Sequence, residues 1–515
     1  FDALMQGIAY MKEAGASFTV QVVPMRANIH QYDQMIALAQ TLSNDIRVGA
    51  SWLWLSAVHA PGHNAEIRRQ RLTPKEVRMV EKPDPFNLAF HEGGSAGCLS
   101  AACEAVSGDT YLLASCIAVR RDFHIDPYGG MSFCYYIKDP ALRYDLRQGT
   151  FQEAWDEFIP SLATAIPTDQ EYFENCGSCQ MRSDCRWCPV YGYLEHGRYA
   201  AKVDYLCQVT KEYHRFKEEW KLDHLRYYQI AGLSIKIGSD FQITDQTFTE
   251  KYGKFQVEKP GDKAIEIKLI SGVPLLSDIR LGKEVYRQSP WAIYQNHDTF
   301  IYTGIREEQD NDNPRTIVIA NKEHARISIY RDAHLYQNQP FHSLTTLVSD
   351  QILLAQALAY HQAFYLHSSG IILNDKGFLF VGHSDAGKST MMKMLRGHGE
   401  ILCDDRNIIR KWPEGFHVHG TWSHGELPDV SPSGAPLRAI LFLEQARTNE
   451  KIRLTDKVEI LSKLLPCVVK GLVTVDWWNK ILTLAEQIME EVPVYQLKFD
   501  KSGEVLFELQ DLYEQ

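Results

Sequence analysis

From Gly377 to Thr390 the chain reads Gly-Phe-Leu-Phe-Val-Gly-His-Ser-Asp-Ala-Gly-Lys-Ser-Thr, and no other stretch restricts the fold as strongly. The apolar run Phe378, Leu379, Phe380, Val381 predicts a buried strand that breaks at Gly382. A helical pattern of Met391, Met392, Met394 and Leu395 begins after Lys388. Between them lies G-x-x-x-x-G-K-S, made of Gly382, His383, Ser384, Asp385, Ala386, Gly387, Lys388 and Ser389, with Thr390 next. Glycines let successive backbone N–H groups turn inward around phosphate oxygens, and the helix start adds partial positive charge. Lys388 would reach the outer phosphates and the Ser389 hydroxyl would hold Mg²⁺. The expectation is a nucleotide site taking ATP and Mg²⁺.

Shortly downstream, an apolar strand ends in Cys403-Asp404-Asp405-Arg406. Two adjacent carboxylates there suit phosphoryl transfer: one orients Mg²⁺ while the other takes the proton of an attacking hydroxyl. Upstream, Tyr365-Leu366-His367 enters a strand just before the loop. Taken together, His367, the Gly382–Ser389 loop and the Arg396-Gly397-His398…Asp404-Asp405 segment resemble HPr kinase/phosphorylase and its relatives. The resemblance covers about 340–450. It implies a kinase core of the phosphoenolpyruvate-carboxykinase type that phosphorylates a serine hydroxyl on a protein or peptide. By this match Asp404 or Asp405 is the base, His367 its neighbour, Lys388 the phosphate contact, and Ser389 and Asp405 the Mg²⁺ ligands. Relatives are commonly oligomeric, so a homo-oligomer is expected. The match departs from true HPr kinases downstream. In place of their E-x-R-G-x-G segment stands His419-Gly420-Thr421-Trp422-Ser423-His424-Gly425-Glu426, similar to the G-T-P-W-x-G-E loop of kinase-like proteins associated with modified-peptide biosynthesis. HPr is therefore not the expected acceptor; Thr421, Trp422, His424 and Glu426 are candidates to line the acceptor site.

Composition bounds the rest. A chain of 515 residues allows two to four domains with substantial cores. A net charge of −11 and a pI near 6.0 leave no electrostatic footprint for nucleic acid. No apolar run approaches the ~20 residues of a membrane span, so a soluble, cytoplasmic protein is expected. The chain opens at Phe1 inside a helical pattern, and residues upstream of it are expected. Of the 11 cysteines, all but Cys403 and Cys467 fall between Cys98 and Cys207. Such clustering in a large chain predicts metal ligation in a reducing compartment rather than disulfides.

The densest part is Cys176-x2-Cys179-x5-Cys185-x2-Cys188, followed by Cys207; Cys116, Gly129 and Cys134 lie before it. Close thiolate pairs on tight turns can converge on one tetrahedral zinc or on one face of an iron–sulfur cube, and spacing alone does not separate the two. The whole set resembles the seven-cysteine SPASM domain of radical S-adenosylmethionine peptide-modifying enzymes, over roughly Cys98 to Cys207. One departure is the two-residue gap between Cys185 and Cys188, where the family commonly has three. The resemblance implies two [4Fe–4S] clusters: one on Cys176, Cys179, Cys185 and Cys207, the other on Cys116, Cys134 and Cys188. Cys98 or Cys103 is a candidate fourth ligand to the second, or else a small core residue. The family's C-x3-C-x2-C motif does not occur in the chain. S-adenosylmethionine is thus expected only if that motif lies upstream of Phe1.

The expected fold is an α/β multidomain protein. Residues 1–95 form a partial βα barrel of the radical-enzyme type: helix Asp2–Ala14, strand Ser17–Val23, helix Tyr32–Leu42 and strand Val48–Leu55. A Pro- and Gly-rich change of character follows from Leu72 to Gly97. Residues 96–225 form the SPASM-like domain and a linker helix, read over Tyr205–Tyr228. Residues 226–342 form a β-rich subdomain with strands Leu233–Ile237, Ala264–Leu269, Thr299–Ile305 and Thr316–Ala320. Its polar loop Arg306–Arg315, with Glu307, Glu308, Asp310 and Asp312, reads as a solvated hairpin tip. Residues 343–515 form the P-loop kinase domain. It would open with an amphipathic helix Ser343–Phe364, carrying Leu344, Leu347, Leu354 and Leu358 on one face. Strand Leu437–Leu443, helices Lys457–Leu472 and Trp477–Glu491, and a strand pair near Val494–Glu508 would complete it, with Trp477-Trp478 in the core or at an oligomer contact.

The expected function is an ATP-dependent serine kinase joined to a peptide-handling iron–sulfur domain, acting on a ribosomally made peptide or small protein. Two alternatives stand beside it. One is a radical enzyme whose catalytic cluster lies upstream, with a regulatory or vestigial nucleotide site. The other is a nucleotide-gated binding module without turnover.

Overall fold

A computed structural model describes residues 2–86, 110–120, 122–261, 264–305, 314–336, 340–472 and 474–514. The protein is mixed α/β with several sheets, and its contacts divide it into two compact units, Phe1–Lys221 and Leu222–Gln515. Among the described residues no helix is long and apolar enough to cross a membrane. Cys98, Cys103 and most of the Arg306–Arg315 loop, including Glu307, Glu308, Asp310 and Asp312, lie outside the described residues.

In the first unit, helix Asp2–Glu13 precedes strand β1 (Val20–Val22), and helix Tyr32–Leu42 crosses to β2 (Ile46–Val48). β1 and β2 pair in parallel, as a βα crossover dictates. The strand expected over Val48–Leu55 ends early. Glu81 Oε1 accepts from the Ser51 N–H (2.9 Å) and Oγ–H (3.0 Å), and a 3₁₀ turn, Ala50–Trp52, replaces the extended chain. Pro74, which reads as punctuation, instead opens the helix Pro74–Glu81. Thr73 and Glu76 form a reciprocal capping box at its start, where proline's missing N–H costs nothing.

A small antiparallel sheet comes next: β3 (His124–Ile125), β4 (Gly130–Ser132) and β5 (Tyr144–Asp145). Helix Pro189–His196 and helix Asp204–His224 close this part. The linker helix therefore stops four residues short of Tyr228, which stands in a strand: β6 runs from Leu225 to Ile230.

The second unit contains two large sheets. In the first, β6, β7 (Leu233–Ser239), β8 (Gln256–Val257), β9 (Ala264–Ser271), β10 (Lys283–Gln288), β11 (Trp291–Asn296), β12 (Thr299–Gly304), β13 (Thr316–Asn321) and β14 (Arg326–Arg331) lie in the order 10-11-12-13-14-9-7-6-8. β9 alternates strictly, burying Ile265, Ile267 and Leu269, as a half-covered sheet requires. The second sheet is built from β15 (Ala363–Leu373), β16 (Lys376–Val381), β17 (Glu400–Cys403), β18 (Arg406–Trp412), β19 (Gly415–His419), β20 (Gly434–Gln445), β21 (Glu450–Leu454) and β22 (Val494–Phe499). β16 pairs with both β15 and β20, so β15, β18, β19, β20 and β16 form a closed circuit. Residues 377–381 of β16 are consequently buried, which matches their uninterrupted apolar sequence.

Three segments of this unit depart from the sequence expectations. The helix expected over Ser343–Phe364 spans only Gln351–Tyr360 and is buried on nearly every side rather than along one stripe. Ser343 Oγ–H and the Thr345 N–H donate to Asp350 Oδ1 (2.9 and 2.8 Å), which commits residues 343–350 to a loop. At the other end Gln362 takes a left-handed backbone (φ +56°) and β15 begins. The second strand expected near Glu508 is a helix, Val505–Glu514, burying Val505, Leu509 and Leu512 at helical spacing. Helix Lys457–Leu464 stops at a 3₁₀ turn containing Pro466, not at Leu472.

Candidate functional site

β16 delivers Gly382 to the end of the buried circuit, and the chain turns there into helix Lys388–Leu395. The turn uses left-handed backbone at Asp385 (φ +67°) and Gly387 (φ +99°). Only glycine suits position 387, because a Cβ there would meet Phe499 Cζ at 2.6 Å. His383, Ser384 and Asp385 are exposed or half-exposed on the loop, while Ala386, Gly387, Ser389 and Thr390 are more sheltered. The Lys388 side chain is buried and folded back over the loop, donating to the carbonyls of Gly382 (2.9 Å) and His383 (3.0 Å). Burial holds its ammonium below the ordinary lysine value, partly offset by Asp405, Cys467, Asp385 and Asp404.

The two carboxylates face this loop differently. Asp404 is 2% exposed and accepts the N–H groups of Gly425 (2.6 Å) and Leu427 (2.9 Å). Ser389 Oγ stands 3.5 Å from Asp404 Oδ2. Asp405 instead stands with His367, whose Nε2 is 3.2 Å from Oδ1, and with Arg406 at 3.3 Å from Oδ2. Burial works against ionising Asp405, but the His367 hydrogen bond and the charges of Arg406, His367 and Lys388 outweigh it. Its carboxyl lies below the ordinary value. The carboxylate beside the Ser389 hydroxyl is thus Asp404, not the Asp405 expected there.

The 421–427 loop divides likewise. Thr421 and Trp422 are fully buried: Thr421 Oγ–H donates to Arg406 O (2.5 Å), and the Trp422 indole N–H to Asp350 Oδ2 (3.0 Å). His424 and Glu426 are exposed, and Glu426 pairs with Lys393 at 2.9 Å. Of the four candidate acceptor-lining residues, only these two present side chains to solvent. The sequence reading overlooked Asp350, whose only signal is a lone carboxylate directly before an apolar helix.

In the first unit the seven cysteines among the described residues are free thiols held by separate elements. Cys116 lies in helix Ala114–Ala118, and Cys134 lies just after β4. Cys176 lies in a π-turn, Phe173–Gly177, while Cys188 caps helix Pro189–His196, and Cys207 sits in helix Asp204–His224. They gather in two sets. Cys176 is within electrostatic range of Cys207, Cys185 and Cys179, and Cys188 is within range of Cys116 and Cys134. Burial, followed by the neighbouring thiols, pushes Cys176 up to about 11; burial and Cys134 push Cys116 up to about 11. Cys188 is raised by burial too. The Trp187 N–H points at Cys185 Sγ (3.4 Å), and the Tyr191 N–H at Cys188 Sγ (3.3 Å). Among the described residues no group of three or more His, Cys, Asp or Glu is set to hold a single metal ion as it stands.

Compared with known proteins, the chain matches no protein-family model and no curated protein.

Proposed function

We propose that the second unit is an ATP-dependent kinase that transfers the γ-phosphoryl group to a serine hydroxyl of a peptide or small protein. The observation that carries this reading is the placement of Asp404 and Asp405 on opposite errands beside one phosphate-type loop. Loop N–H groups and the helix start at Lys388 suit the phosphates, with Lys388 exchanging two carbonyls for the outer phosphate oxygens. Mg²⁺, held by Ser389 with Asp404 behind it, would offset the charge of the transferring group. Asp405, kept ionised by His367 and Arg406, takes the acceptor's Oγ proton. The Oγ–P bond forms, the bond from the β-phosphate oxygen to the γ-phosphorus breaks, and ADP leaves.

The first unit is proposed to hold two [4Fe–4S] clusters. The fit rests on the donor set: three soft thiols lie within electrostatic range of Cys176, two within range of Cys188, and backbone N–H groups already point at two of the sulfurs. Such clusters supply electron transfer or structural cross-linking. Zinc is the rival occupant. A reducing compartment and a peptide substrate accord with this pairing of units.

The test is ADP release and ³²P transfer to serine-containing peptides by the full chain and by Lys388→Ala. Transfer by the wild type that disappears in the variant is expected. Undiminished transfer by Lys388→Ala sinks the proposal. Tight ATP binding without turnover on any peptide favours a nucleotide-gated module instead.

A further inference from the structure

We infer that Asp350 is a positioning residue for the nucleotide site, acting through Trp422 on the loop that fixes Asp404; this deepens the kinase reading and rests on it. Asp350 is 4% exposed and accepts from four neutral donors drawn from three stretches of the chain. Ser343 Oγ–H (2.9 Å) and the Thr345 N–H (2.8 Å) reach Oδ1. The Tyr252 hydroxyl (3.1 Å) and the Trp422 indole N–H (3.0 Å) reach Oδ2. Hydrogen bonds to an ionised acceptor are stronger and more exacting in geometry than neutral ones. Buried carboxylates are costly, and apolar packing of the same volume would serve core stability as well. A carboxylate here supplies something packing does not: a single orientation for the indole.

That orientation matters because Trp422 leads directly into the residues that hold Asp404. Trp422 is 1% exposed, wedged between Tyr252 (ring centroids 5.3 Å apart) and Phe255 (5.1 Å). Next to it, Ser423 is tied twice: Gln351 Nε2 donates to its Oγ (3.1 Å), and Cys403 Sγ–H to its carbonyl (3.0 Å). Then come residues 424–426, which are exposed, with Glu426 paired to Lys393 at 2.9 Å. Within that short span the Gly425 N–H reaches Asp404 Oδ1, and the Leu427 N–H just beyond it reaches Oδ2. The Gly425 amide therefore follows the anchors at 422–423, while Leu427 is held on the far side by its own buried side chain. The hydrogen bonds of Asp350 reach none of residues 382–389; its influence travels through one indole and a few backbone bonds.

The readout is ATP binding to the full chain with and without Mg²⁺, by calorimetry, for the wild type, Asp350→Asn, Trp422→Phe and the double variant. Asp350→Asn keeps the volume but turns one acceptor into a donor. Trp422→Phe keeps a ring and removes the N–H. If Asp350 positions Asp404, the Mg²⁺-dependent tightening of ATP binding falls on the order of tenfold in either variant. The double variant is no worse than the weaker single, and Mg²⁺-free ATP binding is unchanged throughout. Unaltered Mg²⁺-dependent tightening in Trp422→Phe overturns the inference, even if Asp350→Asn fails to fold. Equal weakening with and without Mg²⁺ also overturns it, since that marks general loosening. A wild type that binds ATP with no response to Mg²⁺ overturns both this inference and the kinase reading. Failure in the variants alone overturns only this one.

Discussion

His367 Nε2 lies 3.2 Å from Asp405 Oδ1, because β15 and β18 pair in a register that sets His367 opposite Arg406, the residue next to Asp405. The Ser368 N–H donates to the Asp405 carbonyl (3.0 Å), so backbone as well as side chain fixes the pair. A carboxylate that has lost much of its water keeps its charge only with such neighbours.

Replacing His367 by Ala should therefore raise the Asp405 carboxyl. In the proposed kinase Asp405 takes the proton and must be ionised to do so; on that reading the acid limb of the kcat/KM profile should move to higher pH. The same linkage acts on stability. A depressed carboxyl stabilises the fold above the unfolded value of about 3.9, and that contribution is lost as pH falls through the folded value. His367→Ala should lose less stability on acidification than the wild type. A pH–rate profile with an unmoved acid limb would contradict the assignment.

Gly387→Ala should destabilise the protein by about 1–3 kcal/mol, the cost of left-handed backbone plus a displaced neighbour. The added methyl meets Phe499 Cζ at 2.6 Å at φ +99°. Urea unfolding of the variant gives the loss. Shrinking the neighbour, as in Gly387→Ala/Phe499→Leu, should recover only the part due to the clash.

Anaerobically purified protein should carry about eight irons and as many sulfides, the content of two cubes. Cys179→Ser and Cys134→Ser should each retain about four, because the two thiols belong to different sets. Stoichiometric zinc with little iron in the wild type would overturn the cluster assignment.

Trp477→Ala should cost about 3–5 kcal/mol in urea unfolding. Trp477 is 1% exposed, and its indole N–H donates to the Ala355 carbonyl at 3.0 Å. The neighbouring Trp478 is only half-buried, so Trp478→Ala should cost clearly less. Equal losses would show that the two rings share the burden.

Features whose causes are local were legible along the chain. The strand at Phe378–Val381, the break at Gly382 and the helix after Gly387 arise from a contiguous apolar run, glycine's backbone freedom and helical periodicity. The helix Tyr32–Leu42 appears with its predicted bounds. The helix projected over Ser343–Phe364 lost its first turns to hydrogen bonds with Asp350 and its end to pairing with β18, and neither can be read from periodicity. Val505–Glu514 passed for a strand because its short apolar pattern fits both periods.

Residue order alone dictated a glycine-bearing loop between strand and helix, two carboxylates close downstream, and nine cysteines clustered between Cys98 and Cys207. Which carboxylate meets Ser389 and which meets His367 was left to the folded arrangement. So was the facing of Trp422 toward Asp350 in the core. Loop geometry is set by bonds a few residues apart, whereas the partners of Asp404, Asp405 and Trp422 come from strands and loops brought together by burying a shared core.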